Sequence, residues 1–362
     1  MKKILFFFLT AALLFPGCSK FGKGGEGKQI TFEARTENPT GDLTKTAYAG
    51  RPFIQSEGAY YERIDWLDTD RIRIYSPQAS HRYDANLHYA DYKLKNIVTD
   101  GRYSKGPLIN AGITYDENGN DPGIPDPAGN IGANVNGLVW GSAEYYDFYA
   151  RTPLGPLDAT KMTATIPHEP TLTWTDNRGD MDMKYAVMFA KTTGVADNGT
   201  VQLNFYPKFT AFEFWVNCGE NPQVDLEWFK FYSPSQPVAA TTFSVATADE
   251  SVTVAPADAH DTIMVDFTAR TDGKLTLTPT QDASFTIFAL PTVLTDVVIS
   301  FKLVGETRVR SLRLNDNNGT PLVFQPGRKY IISGITFPKL LELYGEDILW
   351  DVQASGENLI WD

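Results

Sequence analysis

Residues 200–216 read TVQLNFYPKFTAFEFWV, and this stretch decides the fold class. Polar and apolar residues alternate along TVQLNFY (200–206), and the alternation resumes along AFEFWV (211–216). A period of two sends successive side chains to opposite faces of an extended strand, and Val, Thr, Phe and Trp suit a pleated, half-buried surface. The same pattern recurs in both directions. It is clear in RIRIY (71–75), YDFYA (146–150), MTATI (162–166), TIMVDF (262–267), SFTIFAL (284–290), DVVISFKLV (296–304) and YIISGITF (330–337). Turn signals separate the runs: Asp-Asn-Gly at 197–199, Asp-Gly at 272–273 and Pro-Gly at 326–327. No segment sustains an apolar stripe at helical spacing. The pattern predicts an all-β chain of short strands, a sandwich or a barrel.

The first residues, MKKILFFFLTAALLFPGC, have two lysines, an apolar run over 4–15 and a small residue, Gly17, before Cys18. That is the layout of a secretory signal, and the run is too short to span a bilayer. A cysteine directly after the small residue fits lipoprotein processing, with acylation at Cys18 and removal of residues 1–17. Residues 18–28 are Gly- and Lys-rich and form the expected tether. The boundary between two domains is expected near 192–199, giving 29–195 and 196–338. Residues 115–137 carry few large apolar side chains and are expected to be an exposed loop. Residues 340–362 hold six acidic and no basic side chains together with Trp350 and Trp361. A solvated acidic tail has no use for two tryptophans, so 339–362 is expected to be covered by something.

The formal net charge of −12 argues against nucleic acid and anionic membrane surfaces as partners. After Cys18 only Cys218 remains, so no internal disulfide is expected. His81, His88, His168 and His260 are scattered without zinc-site spacing and are read as exposed loop residues. Asp116, Asn118 and Asn120 alternate like a calcium loop, but Asp121 stands where glycine is required. Asp180 and Asp182, or Asp65 and Asp68, are conceivable carboxylate pairs for glycoside cleavage, with nothing to fix their separation. The tyrosines at 83, 89, 92, 145, 146 and 149 suit either sugar stacking or one core-facing side of a strand, the second being the commoner use. No nucleophile elbow or phosphate loop occurs. No enzyme activity, cofactor or metal is expected.

The order of several segments resembles the fimbrillin family of Bacteroidales, in particular its Mfa-like branch. The segments are the lipobox-like start, ITFEAR (30–35), KTAY (45–48), RIDWLDTDRIRIYS (63–76), YDFYARTP (146–153), DMKYAVMFAK (182–191), VQLNFYPKFTAFEFWV (201–216) and FQPGRKYIISGITF (324–337). Lys208 occupies a region where the family commonly has a histidine. The resemblance implies two tandem transthyretin-like β-sandwich domains in a type V pilus component, exported as an outer-membrane lipoprotein. It further implies that an Arg- or Lys-specific protease removes the first strand and that a donor strand from another subunit replaces it. In this sequence ITFEAR places Ile30, Phe32 and Ala34 on one face. Arg35 is the first candidate cleavage site, followed by Lys45 and Arg51. In the tail, Ile348, Trp350 and Val352 share one face and form the candidate donor strand. The partners implied are other fimbrial subunits or accessory proteins, and a host or glycan ligand. The alternative is a lipid-anchored glycan-binding lipoprotein of the outer membrane.

Overall fold

A computed structural model describes residues 27–36, 53–56, 59–62, 65–82, 85–100, 103–111, 113–114, 124–125, 137–197, 199–219, 221, 223–315 and 319–336. Among them the regular elements are strands, with two three-residue 3-10 turns at Met183–Tyr185 and Phe267–Ala269. In chain order the principal strands are β1 (Thr31–Thr36), β2 (Arg71–Tyr75), β3 (Tyr89–Leu94), β4 (Tyr103–Asn110), β5 (Tyr145–Thr152) and β6 (Lys161–Ile166). They continue with β7 (Leu172–Thr175), β8 (Arg178–Met181), β9 (Met188–Ala196), β10 (Thr200–Pro207), β11 (Thr210–Asn217) and β12 (Val224–Tyr232). The last are β13 (Ala239–Ala246), β14 (Thr262–Asp266), β15 (Ala283–Ala289), β16 (Val298–Leu303), β17 (Val309–Arg313) and β18 (Lys329–Thr336). The all-β expectation is met. The turns follow sequence chemistry: Gly273, after Asp272, has φ of +70°, a conformation most side chains avoid.

The described residues form two hydrophobic cores. Around the first, an eight-stranded sheet runs β1-β10-β9-β5-β2-β3-β4 and ends on residues 98–100. β1 also pairs with β4, so this sheet closes on itself. The second core lies between two five-stranded sheets. One is β7-β8-β15-β11-β18; the other is β14-β12-β16-β17, with residues 275–277 paired to β12. Phenylalanines fill the space between them: Phe214 lies 4.6 Å from Phe229, which lies 5.1 Å from Phe301 and 4.9 Å from Phe285. Tilted and edge-on rings at these distances are favourable geometries for aromatic quadrupoles. A smaller sheet joins β6, β13 and residues 252–254.

The cores do not divide at 195/196, where the sequence suggested a boundary. β10 belongs to the first sheet, and Val201, Leu203 and Phe205 lie in the first core. β7 and β8, which precede that boundary, belong to a sheet of the second core, and β6, also before it, adds Met162 and Ile166 to that core. Strands β5 and β9 serve both cores through their two faces. Phe148 and Ala150 point into the first core and Tyr149 into the second; Met188 and Ala190 face the first and Phe189 the second. A strand buried on both faces reads as a nearly unbroken apolar run, and YAVMFA (185–190) is one.

Buried charge ties the strands together near this shared layer. Arg73 and Asp91 are both buried and paired through Nε–Oδ1 and Nη2–Oδ2 contacts of 2.9 Å. Arg151 donates to the carbonyls of Pro153, Pro156 and Thr163. Burial, and then the neighbouring Arg73 charge, lower its pKa from the usual guanidinium range.

The expectation of exposed histidines fails for His81. It pairs with Leu138 and is 1% exposed, because a two-residue strand at 80–81 lies against residues 138–139. Of the expected loop at 115–137, Ile124–Pro125 pair with Ile113–Thr114, and most of the rest lies outside the described residues.

Candidate functional site

The first strand is held on both edges. β1 runs parallel to β10, with Thr31 opposite Thr200, Phe32 opposite Val201, Ala34 opposite Leu203 and Thr36 opposite Phe205. On its other edge it runs antiparallel to β4, with Phe32 opposite Leu108 and Ala34 opposite Gly106. Just before it, the backbone is already zipped to residues 138–140. Gly27 N donates to Trp140 O (2.8 Å), Trp140 N to Lys28 O (3.0 Å) and Ile30 N to Leu138 O (2.9 Å).

Its inward side chains alternate as the sequence predicted. Ile30, Phe32 and Ala34 are buried, and so is Thr36. Phe32 sits edge-on to Tyr92 at 5.2 Å and to Phe148 at 5.3 Å. Opposite Ala34, Gly106 lies so close to the Lys95 carbonyl that an added Cβ would stand 3.0 Å from that oxygen. Thr36 closes the row by donating to Ser104 O (3.2 Å) and accepting from Ser104 N (3.0 Å). The outward side is polar, with Glu33 4.0 Å from Lys105 across the edge. Burying an Ile or Phe side chain stabilises by roughly 1.5–3 kcal/mol each. The slot between β4 and β10 therefore has two hydrogen-bonding edges and a row of apolar pockets.

Arg35 is not the end of this strand. Thr36 is the last residue, and Arg35 faces Asn204 on one edge and Lys105 on the other. A protease needs its target bond in an unpaired, extended segment, so a cut at Arg35 requires the end of β1 to fray. Cys18, Lys45, Arg51, Ile348, Trp350 and Val352 lie outside the described residues, as do residues 1–17, where a signal peptide is expected, residues 37–52, the tail at 339–362 and the loop residues Asp116, Asn118 and Asn120.

Of the candidate carboxylate pairs, Asp180 and Asp182 are engaged in structural contacts. Asp180 lies 3.2 Å from Arg178 Nε, and Asp182 caps the turn at 183–185 and lies 3.1 Å from Lys184 Nζ. Burial raises the pKa of Asp180; Arg178 and a hydrogen bond with Thr286 work the other way, and the charge of Glu213 adds to the rise. Asp70, not Asp65 or Asp68, accepts from Leu67 N in the turn before β2. Of the tyrosines, Tyr92 and Tyr146 are buried in the first core and Tyr149 in the second, whereas Tyr145 is 57% exposed. The Tyr92 hydroxyl accepts from Leu138 N at 2.9 Å, and burial pushes its pKa up. Among the described residues no group of three or more metal-ligating side chains comes together. No helix among them is long and apolar enough to cross a membrane.

One polar pair went unnoticed in the sequence. Lys329 Nζ and Glu213 Oε2 lie 2.6 Å apart, both nearly fully buried, and Trp215 Nε1 donates to the other Glu213 oxygen at 2.9 Å. The residues come from strands far apart in sequence that run side by side as β11 and β18. Only an isolated Glu inside AFEFWV hinted at a buried charge.

No family model matches the chain, and no curated protein matches it. Among solved structures it is similar to a candidate cell adhesion protein from Bacteroides uniformis, with 15% identity over 84% of this chain and 92% of that one, at a TM-score of 0.46. It is also similar to a fimbrial assembly protein from Parabacteroides distasonis, with 10% identity over 85% and 91% at a TM-score of 0.35. A fimbrial protein from Bacteroides vulgatus matches with 11% identity over 57% and 79%, again at 0.35. At these scores the likeness carries no functional conclusion to this chain.

Proposed function

We propose that the chain is a structural or adhesive subunit of a type V-like fimbria on the bacterial surface, assembled by strand addition. The observation that carries this reading is β1. It is the first of the described strands, it is paired along both edges, and its inward row Ile30, Phe32, Ala34 and Thr36 is buried. Its removal would leave β4 and β10 as unpaired edges beside an open apolar groove, and an incoming strand with alternating side chains would satisfy both. The lipobox-like start and the order of segments resembling fimbrillins support export and lipid anchoring at Cys18, in the outer membrane, before assembly. The cut would fall at Arg35 after fraying, or at Lys45 or Arg51 beyond the strand. The tail face Ile348, Trp350 and Val352 would be donated to a neighbouring subunit. The chain then works by binding rather than catalysis.

The decisive measurement is the intact mass and N-terminus of the mature protein from cells. A product starting between residues 36 and 52 and found in polymers is the expected result. A lipidated Cys18 with nothing removed would sink the polymerising version and favour an anchored binding lipoprotein.

A further inference from the structure

At the edge of the second core, a cavity of about 150 Å³ opens between β7, β14 and the turn at Phe267–Ala269. Its walls include Glu169, Leu172, Trp174, Met264, Asp266 and Arg270. We propose that this cavity takes one neutral sugar unit of a glycan.

The wall is rigid where it matters. Trp174 lies flat against the backbone at Gly179, where an added Cβ would stand 2.7 Å from the ring. The Arg270 guanidinium lies over the ring, 4.2 Å from its centroid, and Phe267 meets it edge-on at 5.9 Å. Arg270 Nε is further held by Asp272 at 3.1 Å. The guanidinium is therefore fixed before any ligand arrives, which lowers the entropic cost of using it. Its Nη1 is buried and makes no hydrogen bond among the described residues.

Charge selects the ligand class. Glu169 and Asp266 line the cavity together with Arg270, whose Nε is already held by Asp272. A carboxylate, sulfate or phosphate would meet net repulsion there. Hydroxyls both donate and accept, so a neutral sugar can donate to Glu169 and Asp266 while accepting from Arg270. Leu172 and Met264 supply apolar surface for its C–H face. The volume suits a single ring, well below the ~300–1,000 Å³ of sites for drug-sized ligands.

The neighbouring surface allows a longer chain to continue. Across the β14–β12 ladder, Asp266 pairs with Trp228, Met264 with Lys230 and Thr262 with Tyr232. Trp228, Lys230 and Tyr232 are half-buried and alternate with the core residues Phe229 and Phe231. Lys230 Nζ lies 5.1 Å over the Trp228 ring.

The site gives the adhesive part of the proposed function a ligand class and rests on that reading, but it lies on the second core, away from β1. Binding can therefore fail while strand exchange holds, and the reverse. The test uses the full chain purified from cells, titrated with methyl glycosides of glucose, galactose, mannose, fucose, N-acetylglucosamine and N-acetylgalactosamine. Glucuronate, inorganic phosphate and lysine amide serve as charged comparisons, and binding is read by saturation-transfer NMR. At least one neutral glycoside should bind saturably. Arg270→Ala should weaken it tenfold or more, and so should the exposed-site variants Glu169→Gln and Asp266→Asn, whose melting should match the parent. Lack of binding by all six glycosides overturns the proposal, as does preference for a charged compound. So does unchanged affinity in the two exposed-site variants.

Discussion

The first core takes part of its wall from far upstream, since residues 31–36 fill the gap between residues 103–110 and 200–207. The second core closes between sheets whose strands all lie within 172–336. Both are lined by alternating apolar side chains, yet only the first depends on a strand with few neighbours of its own before it in the described chain. Joining such distant segments carries a loop-closure cost that local hairpins avoid. The same arrangement leaves β1 as an element that can be withdrawn without cutting through the rest of the sheet. The difference teaches that two equally apolar cores can be closed differently: the second by parallel pairings of strands within its own sheet, β8 with β15 and β11 with β18, and the first by a strand inserted between two edges.

The strongest way to break this comparison is to delete residues 27–36. Hydrogen exchange should then accelerate in β4 and β10, with self-association in solution, while amides of β11, β12 and β15 keep their protection. A peptide spanning residues 29–36 should restore the first pattern. Equal loss of protection in both cores would show that they fold as one unit and that β1 is no special element.

Single core substitutions sharpen the contrast. Phe32→Ala and Phe229→Ala should each cost about 3–5 kcal/mol in denaturant unfolding. Phe32→Ala should act chiefly on the exchange of β4 and β10, and Phe229→Ala on that of β11 and β16. If Phe32→Ala destabilised the second core as much as the first, the shared strands β5 and β9 would be transmitting the whole effect.

The buried pair offers a test confined to the second core. Lys329→Met alone should cost about 3–5 kcal/mol, since it strands the Glu213 carboxylate without its partner. Adding Glu213→Leu should recover most of that loss. A double variant no better than the single would mean that Lys329 acts through packing and not through charge.

The smallest expected effect concerns pH. The folded pKa of Asp180 is raised above its ordinary 3.8, mainly by burial. A raised carboxyl pKa means that ionisation costs stability: the cost is absent below the unfolded value, grows as pH rises and is complete above the folded value. Asp180→Asn should therefore gain on the parent protein as pH rises from acid to neutral. A stability difference that stayed flat across that range would remove Asp180 as a source of pH dependence.

Much of the first site could be read before any fold was known. Ile30, Phe32 and Ala34 announce a strand face because alternate residues must share one, and the structure buries all three. What the pattern could not give is the strand's partners. Nothing in ITFEAR says that it lies parallel to 200–205 and antiparallel to 105–108. The misplaced boundary near 195 has the same origin, because TVQLNFY looks like the start of a new unit until it is seen pairing with β1 and β9.

The cavity was beyond reach for a related reason. Trp174 and Arg270 stand in turn-rich segments, TLTWTDNRGD and TARTDG, with no spacing that joins them. Only the packing of β7 beside the turn after β14 brings the guanidinium over the indole. By itself the sequence determined that the chain is all-β, where many of its strands run and which faces are apolar. The tertiary structure alone decided which strands pair, which core each face serves and which polar side chains converge. The physical reason is that strand periodicity is a local property of the backbone, whereas pairing, burial of charge and cavity shape arise only when distant segments meet.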